Sequence, residues 1–93
     1  MNKLKKFKLV EGEFNPTDSN SILNALFSSK INFHQLESFR IQEKNSGNVD
    51  YHHHRIEELK SAYSEIKNII DTASSNGYNL KIQSNVELSF VKK

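Results

Sequence analysis

The chain has no cysteine, and that absence removes whole classes of chemistry. Disulfide staples, thiolate metal ligands and cysteine nucleophiles are all excluded. Glycine is scarce, with Gly12, Gly47 and Gly77 the three copies present. A Walker phosphate loop or a GxGxxG dinucleotide fingerprint needs its glycines closer together, so neither motif exists here. Arginine, the residue that most often reads base edges, occurs only as Arg40 and Arg55, which disfavours sequence-specific DNA recognition. Long apolar runs are missing as well: the hydrophobic fraction is 35% and the mean hydropathy −0.67. No segment approaches a membrane span. The basic start MNKLKKFKLVEGEF holds no apolar stretch of signal-peptide length. A cytoplasmic location is the expectation.

What the chain does contain is pattern. Its 93 residues read as one domain, 1–93, with a core modest enough that oligomerisation is expected. Eight positions keep a 3-4-3-4-3-4-3 spacing: Val49, His52, Ile56, Leu59, Tyr63, Ile66, Ile70 and Ala73. All but His52 are apolar or aromatic, the pattern of a helix that buries a narrow stripe against another helix. That helix should run from Val49 to Ser75, with Asn76-Gly77 ending it, because glycine takes the left-handed position readily.

Upstream, Asn15-Pro16-Thr17-Asp18 is a helix start with a mechanism behind it. Asn15 suits the N-cap, Pro16 the first helical position, and Asp18 the positive end of the helix. The helix should run from Pro16 to Glu43, with Ile22, Leu23, Leu26, Phe27, Phe33, Leu36 and Phe39 as its apolar face. Ser28 to Asn32 interrupt the periodicity, predicting a kink or a rotation of the buried face. Lys44 to Asn48 is a loop by composition, so the two helices form an antiparallel hairpin and the seam is internal.

Residues 4–14 read as a strand, with Phe7 and Leu9 on one face and Val10 and Phe14 on the other. Gly12 marks a bulge or a close backbone approach. From Leu80 to Phe90 apolar and polar residues alternate, and only Ser84 breaks the apolar face. That strand should match the second helix at about 40 Å. The fold class is α+β: a β-α-α-β chain with a long antiparallel helical hairpin packed on a two-stranded antiparallel sheet. Both sheet edges are open and no proline guards them. A second copy is expected to pair with one edge, extending the sheet to four strands in a homodimer. Pairing of helix seams into a four-helix arrangement is the alternative.

The chemistry-bearing residues are less decisive. Three consecutive histidines, His52, His53 and His54, point about 100° apart on a helix and cannot share one metal ion. Asp50, His54 and Glu58 line up at helical spacing, as do His53 and Glu57, which allows a two-ligand surface site of the kind zinc or nickel takes. Such lines are ordinarily solvated faces, and no HExxH signature supports a metal. His52 differs because it falls in the seam, where it should pack on the first helix near Phe39 and bond a polar group; it is the candidate pH switch. His34, Glu37 and Arg40 read as a surface ladder. The eleven acidic residues suggest helix-surface pairs and no converging cleft, and no GxSxG frames a serine nucleophile. No catalytic, cofactor-binding or metal residue is assigned.

Net charge is +2, but it gathers at the ends. Antiparallel strands bring Lys3, Lys5, Lys6 and Lys8 to the same corner as Lys92 and Lys93. The function expected is a small non-enzymatic interaction or regulatory protein, a homodimeric module that binds a protein partner. The alternative is nonspecific nucleic-acid binding through that lysine corner. The stretches from Leu9 to Pro16 and from Lys30 to His34 resemble segments of short bacterial proteins of similar length, which implies a stand-alone domain and nothing about activity.

Overall fold

The computed structural model describes residues 4–44 and 49–93. Along the chain lie β1 (Lys5–Phe14), α1 (Pro16–Lys44), α2 (Val49–Asn76) and β2 (Leu80–Leu88). Two antiparallel helices pack on a two-stranded antiparallel sheet, as the sequence pattern predicts. The loop expected around Gly47 lies outside the described residues.

Both helix boundaries follow from local chemistry. Asn15 Oδ1 accepts the backbone N–H of Asp18 at 2.7 Å, which makes Asn15 the N-cap and puts Pro16 where a missing N–H costs nothing. The Ser19 N–H closes the first turn on the Asn15 carbonyl at 2.8 Å. Asn15→Ala is therefore expected to lower stability by about 1 kcal/mol, measured by urea denaturation, while Asn15→Asp stays close to the parent. At the far end of α2, Gly77 holds φ +74°. The Tyr78 N–H then reaches the Ala73 carbonyl at 2.9 Å, the six-to-one bond of a Schellman cap.

The seam of α2 faces α1. Ile56, Ile70 and Ala73 are buried, and Val49, His52, Leu59, Tyr63 and Ile66 are half-buried. Tyr63 fixes the register of the pair: its ring lies 5.7 Å from that of Phe27 and its hydroxyl donates to Asn20 Oδ1 at 3.1 Å. The first half of α1 meets α2 through Ile22, Leu23, Leu26 and Phe27, all half-buried. Beyond Lys30 the inward face rotates. Ile31, His34, Ser38 and Ile41 turn towards cover while Phe33, Leu36 and Phe39 are exposed, which corrects the apolar face expected there. The physical reason lies across the interface, where the first turns of α2 offer histidines that need polar partners.

β1 and β2 pair from Phe14↔Leu80 to Lys5↔Leu88, with a register shift between Lys8 and Val10. Leu9 is the extra residue of a β-bulge. Because the bulge reverses the parity of β1, Phe7 lies on the same face as Val10, Gly12 and Phe14, and not with Leu9 as the plain alternation suggested. Gly12 has φ +156°, and a Cβ there would stand 3.3 Å from the Phe14 ring that lies over it. β2 stops at Leu88, nine residues or about 30 Å, shorter than expected and shorter than the helix beside it.

Cover runs out along the sheet. Ile82, near the root, is 8% exposed, but Val86 is 37% and Leu88 57% exposed on the same face. Among the described residues the buried apolar side chains are Ile56, Ile70, Ala73 and Ile82. The molecule measures 50 × 34 × 15 Å with a radius of gyration of 16.7 Å, whereas a compact chain of this length has about 12 Å.

Candidate functional site

Two regions hold side chains that packing alone does not explain. One is a polar cluster inside the helical hairpin; the other is the uncovered end of the sheet.

In the cluster, His34 Nδ1 and His52 Nδ1 stand 2.8 Å apart, and Ser38 Oγ lies 2.8 Å from His53 Nε2. His34 and Ser38 are buried; His52 is half-buried and His53 exposed. The His34 ring is flanked by Phe33, Tyr51 and His52 at centroid distances of 5.2, 6.1 and 5.1 Å. The whole molecule is only 15 Å across its thinnest direction, so this is close local cover rather than depth. His34 is thus no member of the Glu37–Arg40 ladder, which forms without it at 3.0 Å. His52 bonds a polar group on α1 as expected of a seam histidine, but the group is His34.

An Nδ1···Nδ1 bond requires one ring to donate and the other to accept. His34 Nε2 is buried without a partner. An orphaned acceptor is less costly than an orphaned N–H, so the favoured arrangement has His34 Nδ1–H donating to His52. The remaining basic nitrogen of the pair is then His34 Nε2, under cover. Charging it means placing an imidazolium away from water beside cations. Burial pushes the His34 pKa below its ordinary 6.5, and Lys30, His52 and Arg55 push it the same way.

Chemically the cluster is a set of inter-helix hydrogen bonds. Ser38 and His53 have the spacing of a nucleophile and its base. However, Ser38 is buried in mid-helix, where the surrounding backbone N–H groups are committed to the helix and form no oxyanion hole. His54 Nε2 approaches Glu58 Oε2 at 3.7 Å, and Glu58 also accepts from Arg55 at 2.7 Å. The Arg55 hydrogen bond holds the Glu58 carboxyl below its ordinary range. Among the described residues no group of three or more His, Asp or Glu side chains gathers as a metal site.

The lysine corner is only partly a cluster. Lys3 lies outside the described residues. Lys6 pairs with Glu87 at 3.4 Å and Lys8 with Glu11 at 2.9 Å, while the Lys5 ammonium sits 5.9 Å from the Phe7 ring centre. Lys92 and Lys93 are exposed beyond the end of β2. The acidic partners come from the same two strands: Glu87 stands opposite Lys6 across the ladder, and the bulge at Leu9 puts Glu11 on the face that Lys6 and Lys8 share.

The uncovered end of the sheet has no counterpart in the alternation of β2, which reads as evenly buried. Leu4, Phe7, Leu88 and Phe90 surround one apolar groove there, and each is exposed. A second groove runs between α2 and β2 and includes Ile66, Ile69, Ile70, Leu80 and Ile82. No protein-family model, curated protein or solved structure matches the chain.

Proposed function

We propose that the protein is a non-enzymatic interaction module that works as a homodimer joined through its sheet. The observation that carries this reading is surface. A compact monomer of 10.7 kDa exposes about 5,500 Å², and this chain exposes 7552 Å². The excess is about 2,000 Å², against the 800 Å² or so that each partner buries in a standard interface. Apolar side chains on the outer sheet are a conspicuous part of it. A second copy is the partner a small open sheet meets most readily, since its own edge is complementary by symmetry.

The non-enzymatic part rests on the cluster, whose serine and histidines are tied to one another across the helices. Nucleic-acid binding is not advanced, because Lys6 and Lys8 place their charges on Glu87 and Glu11. Sedimentation equilibrium from low to high micromolar concentration tests the reading. A dimer is expected, together with a melting temperature that rises with protein concentration. A monomer at high micromolar concentration with full helical content would refute it.

A further inference from the structure

The two strands offer unequal edges. β1 is interrupted by the bulge at Leu9, and its charged face is tied up by the Lys8–Glu11 pair at 2.9 Å. Bulges of this kind blunt an edge against pairing. β2 runs unbroken from Leu80 to Leu88 and contains no proline. Among the described residues its outer edge has no ladder partner, and Leu80 and Ile82 of the same strand line the groove shared with α2.

From this asymmetry, and resting on the self-association proposed above, we infer that β2 pairs antiparallel with β2 of a second copy, on a twofold axis through Ser84. Antiparallel pairing about a perpendicular twofold keeps each face of the sheet on its own side. Centring on Ser84 sets Leu80 opposite Leu88 of the second copy and Ile82 opposite its Val86. On the polar face Lys81 stands opposite Glu87, and Gln83 opposite Asn85. Every apolar residue meets an apolar one, and both charges meet their opposites twice. Glu87 already has Lys6 at 3.4 Å on its inner side, so it would lie between two cations.

The neighbouring registers lose this match. Centring on Gln83 puts Lys81 opposite Asn85 and Ile82 opposite Ser84. Centring on Asn85 puts Glu87 opposite Gln83 and Val86 opposite Ser84. A half-step slip sends apolar residues to the polar face.

The Ser84 register also supplies the cover that a single copy lacks. Leu88, 57% exposed, lies beside Leu80 of the second copy, at the root of that copy's sheet. There the second copy's Ile69, itself 56% exposed on α2, stands over the groove. Each uncovered sheet end is thereby laid against the other copy's helices. The result is a four-stranded sheet, β1-β2-β2-β1, with a helical hairpin at each end.

Single-cysteine variants carrying nitroxide labels test the register, because the chain has no cysteine of its own. Lys81→Cys, Gln83→Cys, Asn85→Cys and Glu87→Cys are all exposed positions on the polar face. Dipolar distances between like labels are expected to be shortest and equal at 83 and 85, with an offset along the strand of about 7 Å. They should be longer and equal at 81 and 87, with an offset of about 20 Å. Glu11→Cys, on β1, should give a longer distance than either central position. A minimum displaced from 84, or a shortest distance at Glu11, in a protein that is still dimeric overturns the inference and leaves the sheet dimer standing. Absence of dipolar coupling at every position, with a monomer by sedimentation, overturns both.

Discussion

Replacing Val86 and Leu88 together by glutamate should abolish dimerisation and leave the chain largely unfolded at concentrations where the parent is folded. The two residues have different surroundings in the single copy and in the dimer. In the single copy both side chains are exposed, at 37% and 57%, so an independently stable monomer would register the change within about 0.5 kcal/mol per site. In a dimer joined through the sheet they become interior. Fully burying a side chain of this size contributes about 1.5–3 kcal/mol; roughly half of each is newly covered in the dimer, so the four side chains together supply about 3–6 kcal/mol, and glutamate adds the cost of removing a carboxylate from water. The dissociation constant should rise by roughly four orders of magnitude or more. The chain has little reserve to survive this alone, because its buried apolar side chains among the described residues are Ile56, Ile70, Ala73 and Ile82. Gln83→Lys with Asn85→Glu, on the polar face of the same strand, is the control: it introduces two charges, but each meets an opposite charge across the proposed twofold and on β1, where Glu11 faces position 83 and Lys8 faces position 85, so it should leave the fold and the dimer intact. Sedimentation equilibrium and circular dichroism on the two double variants check this. Equal behaviour of the two pairs would show that the apolar face of β2 is not an interface.

The helices were legible because their signals are local. Asn15, Pro16 and Asp18 announce a start, Gly77 announces a stop, and the seam of α2 is a spacing that depends on no other part of the chain. What stayed hidden depends on pairing. The bulge at Leu9 exists only in relation to β2, so the alternation of β1 assigned Phe7 to the wrong neighbours. The outer half of α1 was read by hydropathy, which selected Phe33, Leu36 and Phe39. Following the spacing instead, from Phe27 to Ile31 and on by threes and fours, leads to His34, Ser38 and Ile41, the residues that face inward. His52 carried the complementary hint: a histidine in an apolar seam requires a polar group opposite. The exposed sheet end has a quieter signal, since β2 offers one apolar face along its whole length while the helices cover only its root.

The same histidines make stability depend on pH, and substitution should separate the two partners in an unintuitive way. In the unfolded chain His34 takes up a proton near its ordinary value of 6.5; in the fold it does so at lower pH. Between those two values the unfolded state binds more protons, so stability falls as the pH drops below about 6.5 and levels off once the folded protein is protonated too. The Glu58 carboxyl, held below its ordinary 4.5 by the Arg55 hydrogen bond, loses its contribution only as the pH falls below that ordinary value. His34→Leu removes the first window. At neutral pH it should cost less than about 1 kcal/mol, because an apolar side chain replaces the orphaned Nε2 and half-buried His52 turns to water. His52→Ala does the reverse: it leaves His34 covered with both ring nitrogens unpaired, at a cost of about 1–3 kcal/mol, and the pH dependence persists. The more deeply buried histidine is therefore the cheaper one to lose. Urea denaturation of the parent and both variants at pH 5 and pH 7.5 decides it. If His34→Leu is the more damaging change at neutral pH, or keeps the fall in stability between those two values, the paired histidines are not the source of the pH dependence.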